Sequence, residues 1–387
     1  MSRKKLIIII TAFLSLIIAT SAVFILQPND TTTEKTVEEE KTITFAIFSD
    51  FHYKKLMYST TVDDMDAILD RANAANADFV LSAGDFSNDY AGSPEITNAF
   101  LNNKYNLPVY NVYGNHELES GNTMQYVTPM LTNDKNAVWG TADGKIGDGS
   151  IAYYYFDYNG FRVICTDTNY SFNPTINTWE HNADGSYTYP TGNTLGYSLG
   201  PEQLAWLEKT LLDAADKELS CIILAHDSFS GEFRSISPDA EAVRALYNKA
   251  NKKRAGTVLI SINGHIHSNN TAVIDDVLYI DVNSTRNTVW KADAEPHYTA
   301  EHTFDMVEYN LFGEAYFTYP MPLDELTMGK KTWFSADPLS AIVTVSKSGD
   351  VTIDGTESEW LYGIAPTDKY PDEEPRISSG KWELLNK

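Results

Sequence analysis

Apolar residues alternate or run together from Thr42 to Ser49, where Ile43, Phe45, Ile47 and Phe48 predict a buried strand. Between Asp63 and Asn76, Met65, Ile68, Leu69 and Ala72 recur at helical spacing. Phe79-Val80-Leu81 reads as a second short strand, Pro94 to Lys104 as a helix, and Val109 to Val112 as a third strand. This β-α-β-α-β rhythm predicts a layered α/β domain rather than a helix bundle or an all-β sandwich. Between Gly121 and Gly200, Tyr, Asn, Thr and Gly dominate around a strand pair, Ile151 to Tyr158 and Phe161 to Thr166, joined at Asn159-Gly160. Pro201 to Asp213 resumes a helix with Leu204, Leu207 and Leu211 on one face. Ile222 to Ala225, Val258 to Ile262 and Val277 to Val282 are further strands, and Ala341 to Ile353 is a hairpin about Ser348-Gly349-Asp350. Arg286 to Pro338 is aromatic-rich and irregular, an insertion or cap. No internal repeat is visible.

The ends differ from this pattern. Arg3-Lys4-Lys5 precedes an apolar run from Leu6 to Leu26, long enough at about 1.5 Å per residue to cross a bilayer as a helix. Basic residues before such a run also describe a secretory signal, with small residues at Ala19-Thr20-Ser21-Ala22 near a cleavage point. Residues 1–26 therefore read as a signal peptide or a membrane anchor, the anchor being favoured. The partner would be the membrane or the secretion machinery, and the remaining chain would be exported: held at the extracellular face, or secreted. Residues 27–41 are rich in Pro, Thr and Glu and read as a solvated linker. A domain over 42–355 comes next, with insertions near 121–200 and 286–338, and 356–387 reads as a C-terminal extension.

Composition narrows the classes. Of 387 residues, 43% are hydrophobic and 12% aromatic, enough for a large core and against global disorder. A net charge of −24 repels nucleic-acid phosphates and argues against a duplex-binding protein. An anionic substrate could approach such a surface only where cations invert the local field. The two cysteines, Cys165 and Cys221, lie in apolar runs and read as small buried hydrophobes, not a disulfide framework.

Polar residues gather where strands end. Asp50-Phe51-His52 follows the first strand, and alternation would put both side chains on one side. Gly84-Asp85 follows the second strand and Gly114-Asn115-His116-Glu117 the third, while His226 follows Ile222 to Ala225 and Gly264-His265-Ile266-His267 follows Val258 to Ile262. Five strands thus deliver carboxylate, amide or imidazole groups at their carboxyl ends, the edge where open α/β sheets bind ligands. The glycines suit backbone turning sharply out of a sheet. Acidic and imidazole groups converging there would be costly without a compensating cation. Asp167-Thr168-Asn169-Tyr170 also follows a strand and either faces the same cleft or is an ordinary turn, the turn being favoured. Tyr170, Phe172, Trp179 and Tyr187 either cap the site, stacking on an aromatic or sugar substrate, or pack on the domain. His181, His297 and His302 are read as surface residues.

The ordered set from Asp50-x-His52 to Gly264-His265-x-His267 resembles the calcineurin-like metallophosphoesterase superfamily, over about Thr42 to Ile353. The resemblance implies two mixed β-sheets packed as a sandwich with helices on the outer faces. It implies two divalent metal ions, Mn, Fe, Zn or Co: Asp50, His52 and His267 on one, Asn115, His226 and His265 on the other, and Asp85 bridging. His116 would bind no metal and would assist the leaving group, while a metal-bound hydroxide attacks a phosphate mono- or diester in line. Mixed oxygen and imidazole donors suit all four metals.

Departures narrow the branch. Gly84 to Asp89 lacks the Arg of protein serine/threonine phosphatases, and the presence of His52 disfavours purple acid phosphatases. The chain is too short for the added C-terminal domain of bacterial 5′-nucleotidases. It most resembles the phosphodiesterase-like branch. After His226 stand Asp227-Ser228-Phe229 in place of the proline common in relatives. The alternative is a non-catalytic metal-binding scaffold of the same fold at the cell surface. A carbohydrate-binding module would leave the acidic residues and histidines unexplained.

Overall fold

A computed structural model describes residues 40–385 apart from 54–59, 88–93, 120–123, 170–171, 174–177, 180–197, 234–236, 291–297, 310–314, 326–330 and 367–372. Tyr170, His181, Tyr187, His297 and the N-terminal segment lie outside these residues. Among the described residues no helix is long and apolar enough to cross a membrane.

The chain runs β1 (Thr42–Phe48), α1 (Val62–Ala74), β2 (Phe79–Ser82), α2 (Pro94–Leu101), β3 (Val109–Asn111), α3 (His116–Glu119) and α4 (Met124–Val127). It continues β4 (Val138–Trp139), β5 (Tyr154–Tyr158), β6 (Phe161–Cys165), β7 (Phe172–Asn173), β8 (Thr178–Trp179), α5 (Gly200–Asp216), β9 (Ser220–Leu224), α6 (Ala240–Lys253), β10 (Val258–Asn263), β11 (Asn270–Ile274) and β12 (Val277–Asp281). Last come β13 (Val289–Trp290), β14 (Thr303–Tyr309), β15 (Ala315–Pro322), β16 (Thr332–Trp333), β17 (Ala341–Ser346), β18 (Asp350–Gly355) and β19 (Gly380–Glu383).

Two large mixed sheets result. One has the order β19-β18-β17-β1-β2-β3 and the other β11-β12-β10-β9-β6-β5-β4. In the first, β1, β2 and β3 are parallel, with Phe45 opposite Phe79 and Leu81 opposite Tyr110. In the second, β6, β9, β10 and β12 are parallel. Strand alternation divides the second sheet's side chains between two cores. Ile222, Leu224, Ile260 and Ile262 join Phe45, Phe79 and Val80 of the first sheet in one, so the two sheets share it. Cys221 and Ile223 face the other way and pack with Leu207, Leu211, Val243 and Tyr247 of α5 and α6, joined by Val258, which precedes a register shift in β10. Met65, Ile68 and Leu69 of α1 belong to the core of the first sheet. The expected sandwich of two mixed sheets is the fold.

Several features differ from the sequence expectations. Helix α6 is absent from those expectations, because Val243, Tyr247 and Ala250 are few apolar positions in a charged, Asn- and Lys-rich segment. Residues 286–338 contribute the small ladders β13–β16 and β14–β15. The C-terminal extension supplies β19, which pairs Trp382 with Val351 and completes the first sheet. Cys165 and Cys221 are buried free thiols on adjacent strands, where Cys165 pairs with Leu224 and Cys221 with Arg162. That three-residue offset keeps them apart, and burial pushes both thiols up to about 12.

Candidate metal centre

The parallel strands of both sheets end at one edge, and every sequence-predicted site residue follows one of them. Alternation, however, is not what aligns Asp50 with His52. β1 stops at Phe48, and both residues take left-handed backbone, φ 47° and 52°. Asp85, His265 and His267 do the same, at φ 49°, 72° and 48°. Asp and His enter this region more readily than most side chains, yet five such residues at one edge are unusual.

The side chains converge in three overlapping groups, linked through His52 and Asp85. Asp50, His52 and His267 lie close enough for a common ion, as do Asp85, His226 and His265, and also His52, Asp85 and His116. His52 Nε2 is 2.9 Å from His267 Nε2, and the latter is 3.4 Å from Asp50 Oδ1. His226 Nε2 is 3.2 Å from His265 Nδ1 and 3.3 Å from Asp85 Oδ2. Asp85 Oδ2 is also 3.9 Å from Nε2 of both His52 and His116, which sets it between the groups. Asn115 is buried in the loop that joins Gly114 to His116. His116 is the most open of the set, its side chain 30% exposed, and its backbone N–H donates to Asp85 Oδ1 at 2.9 Å.

Backbone carbonyls orient the rings. His226 Nδ1 lies 2.7 Å from the Ala83 carbonyl and His267 Nδ1 lies 2.5 Å from that of Asn287. Each ring therefore donates outward and turns Nε2 inward. The Asn287 loop is itself tied down, since Arg286 pairs with Asp64 at 2.6 Å, the residue that completes the capping box of α1 with Thr61. The glycine before Asn115 is needed for space: a Cβ on Gly114 would fall 2.0 Å from Asp85 Oδ1.

The electrostatics show what the protein alone leaves uncompensated. Burial opposes the charge on Asp50, but His267 and His226 bring its carboxyl down to about 2. Burial likewise opposes the charge on Asp85 and is overcome by His226 and His116, which hold it well below the usual carboxylate range. Burial resists a charge on His226 too, yet Asp85 raises it well above an ordinary imidazole. Burial and the neighbouring His116 lower His52 to about 4. Asp50 Oδ1 is buried without a hydrogen-bond partner among the described residues. A buried carboxylate oxygen left open beside imidazole nitrogens suits a cation, and the carboxylate, amide and imidazole donors suit first-row divalent metals.

Sequence reasoning gave Glu117 no role, although it closes the motif that begins at Gly114. Its buried carboxylate accepts N–H bonds from Gly114 and Phe86 at 2.6 Å, and from Asp85 and Ser87 at 3.2 Å. It clips the loop after β2 to the loop after β3. The segment after β6 is no ordinary turn either, for Thr168 Oγ1 donates to Asp227 Oδ2 at 2.8 Å and Asn169 donates to the Tyr113 carbonyl. The signal for both was burial of polar groups, which sequence does not show. His302 is partly buried rather than a free surface residue: Thr299 N donates to its Nδ1 at 2.9 Å, Leu323 N donates to its carbonyl at 2.8 Å, and its ring lies 4.8 Å from that of Tyr362. Phe172 and Trp179 are backbone partners in the short β7–β8 ladder.

Comparisons with known proteins bear on the fold and the family. A dimetal phosphatase from Danio rerio aligns with 14% identity over 83% of this chain and 99% of its own, with a TM-score of 0.52. The inner-membrane-complex anchor GAP50 of Plasmodium aligns with 13% identity over 90% of both chains, at 0.47. An NAD nucleotidase from Haemophilus influenzae aligns with 13% identity over 85% of this chain and 54% of its own, at 0.35. No curated protein sequence matches. The profile of the calcineurin-like phosphoesterases matches residues 43–269, more than half of the chain and all of the predicted site. The chain belongs to the calcineurin-like phosphoesterase family and is a metal-dependent hydrolase of phosphate esters.

Proposed function

We propose that Asp50, His52 and His267 hold one divalent cation, that Asn115, His226 and His265 hold a second, and that Asp85 is shared between them. The observation that supports this most directly is the position of Asp85 Oδ2, 3.3 Å from His226 Nε2 and 3.9 Å from His52 Nε2. The cations would supply Lewis acidity and an activated water to an in-line displacement at phosphorus. Asp85 Oδ2 would exchange the proton of His226 for a cation, so that loading releases protons. Asp50, with one oxygen held by Ser49 at 2.5 Å and by the His265 N–H at 3.0 Å, keeps its other oxygen for binding. His116, open to solvent on the same side, donates a proton to the leaving oxygen.

The substrates are phosphate mono- or diesters, and the domain works outside the membrane. Support for export is the basic and apolar sequence of residues 3–26. The test loads the protein with Mn and screens monoester and diester panels, including cyclic nucleotides and phospholipid head groups. Turnover should vanish on chelation and in Asp85→Asn. Absence of turnover by the loaded wild-type protein on every class would refute the proposal.

A further inference from the structure

We propose that Asp227 is the outer carboxylate partner of His265 and so a positioning residue for the second cation; this rests on the assignment of His226 and His265 to that cation. Three of the histidines around the centre can be compared by what their outer nitrogen meets. His226 and His267 each give the nitrogen that points away from the centre to a backbone carbonyl, at 2.7 and 2.5 Å. His265 turns Nδ1 toward the centre, 3.2 Å from His226 Nε2, and its opposite nitrogen faces a side chain instead. Asp227 Oδ1 lies 3.7 Å from His265 Nε2.

Asp227 is built for that task. It is 1% exposed, and its Oδ2 accepts the Thr168 hydroxyl at 2.8 Å, so the carboxylate is fixed from the loop after the neighbouring strand β6. Its Oδ1 has no hydrogen-bond partner among the described residues. An open carboxylate oxygen in the interior is expensive, and the group it points at is a ring whose N–H becomes a stronger donor when its other nitrogen binds a metal. Asp227 would hold His265 in the Nε2–H form, keep the Nδ1 lone pair on the centre, and add negative charge on the side of the second cation alone. Carbonyls serve the rings of His226 and His267 without charge. The two cations should therefore differ in affinity through a residue that touches neither.

Mn titration of the chelator-stripped full chain tests this, with calorimetry for affinity and electron paramagnetic resonance for the spin-coupled pair. Asp227→Ala should weaken one of two binding events about 10–100-fold, as removal of such outer partners does, and leave the other unchanged. The coupled signal should then need correspondingly more Mn. Asp227→Asn, which keeps an acceptor oxygen but no charge, should fall between. In a His267→Ala background, where only the second set remains, Asp227→Ala should weaken the single event by the same factor. Should Asp227→Ala not fold, Thr168→Val releases the carboxylate while retaining it, and should show a smaller loss at the same event. Unchanged affinities and coupling in the Asp227 variants would overturn the proposal, as would equal weakening of both events. A wild-type chain that binds fewer than two Mn would instead overturn the ligand assignment beneath it.

Discussion

Gly264→Ala is the sharpest test of how tightly the centre is built. A Cβ there would stand 1.8 Å from Ser49 Oγ, 2.5 Å from Asp50 Oδ2 and 3.0 Å from Ser49 Cβ. Carbon atoms in contact ordinarily sit about 3.5–4 Å apart, so something must move by more than an ångström. The backbone has little room to yield, because Gly264 N donates to the His226 carbonyl at 3.0 Å and His265 N donates to Asp50 Oδ2 at 3.0 Å. The Ser49 hydroxyl must therefore swing away and give up its 2.5 Å bond to Asp50. Overpacking costs about 1–3 kcal/mol and a lost hydrogen bond to a charged group about 1.5–3 kcal/mol, together on the order of 2–6 kcal/mol. That is a large part of the roughly 5–15 kcal/mol that holds a domain folded. Urea denaturation of the metal-free protein should show a lower midpoint at unchanged slope, and Mn titration should show weakening at the event that uses Asp50. Ser49→Ala added to Gly264→Ala removes the closest clash and should recover part of the loss, a coupling that distant sites do not show. A midpoint within about 0.5 kcal/mol of wild type, with both Mn affinities intact, would refute the reasoning.

Two further outcomes rest on the same geometry. His116→Ala should lower kcat by about 10²–10⁴ with two Mn still bound, measured by steady-state kinetics and elemental analysis; loss of a metal equivalent would show instead that His116 is a ligand. His52 supplies a pH signature in the metal-free protein. It titrates at about 4 in the fold, because of burial and then His116, against about 6.5 in an unfolded chain. Between those values the unfolded chain binds the extra proton, so its contribution is full above pH 6.5 and is lost as pH falls to 4, by up to about 3 kcal/mol. Stability curves of wild type and His52→Asn should diverge in that window, and parallel curves would sink the idea.

The sheets and the edge where the site lies were legible because both rest on local pattern. Ile43 to Phe48, Phe79 to Leu81 and Val258 to Ile262 are apolar enough to be strands on their own account, and the residues after a parallel strand must emerge at its carboxyl end. The ligand candidates were legible for the same reason. The partners were not. Glu117 looks like any helix-start acid until four N–H groups from two loops are seen to converge on it. The tie of Asp227 to Thr168 spans 59 positions of sequence. Arg286 fixes the loop of Asn287 through Asp64, which is 222 positions away. Such long-range polar pairing has no periodicity, so no window along the chain contains it.

Why the site takes this shape can be traced to the demands placed on Asp50 and Asp85. As the proposed ligands, each would be buried, to keep water from competing, and each would present oxygen to the centre. A regular strand cannot do both, because its next residue would point to the opposite face. The chain instead breaks from β1 and β2 into left-handed backbone at Asp50, His52 and Asp85, a conformation that costs about 1–3 kcal/mol per residue. The Glu117 and Ser49 contacts then hold those turns in place, and Gly114 and Gly264 let carboxylates approach backbone closer than any Cβ would allow. The strain, the open Asp50 oxygen and the inward-facing imidazoles thus belong to one edge. Cations held there, as proposed, would offset the buried negative charge and would let a chain of net charge −24 act on phosphate esters.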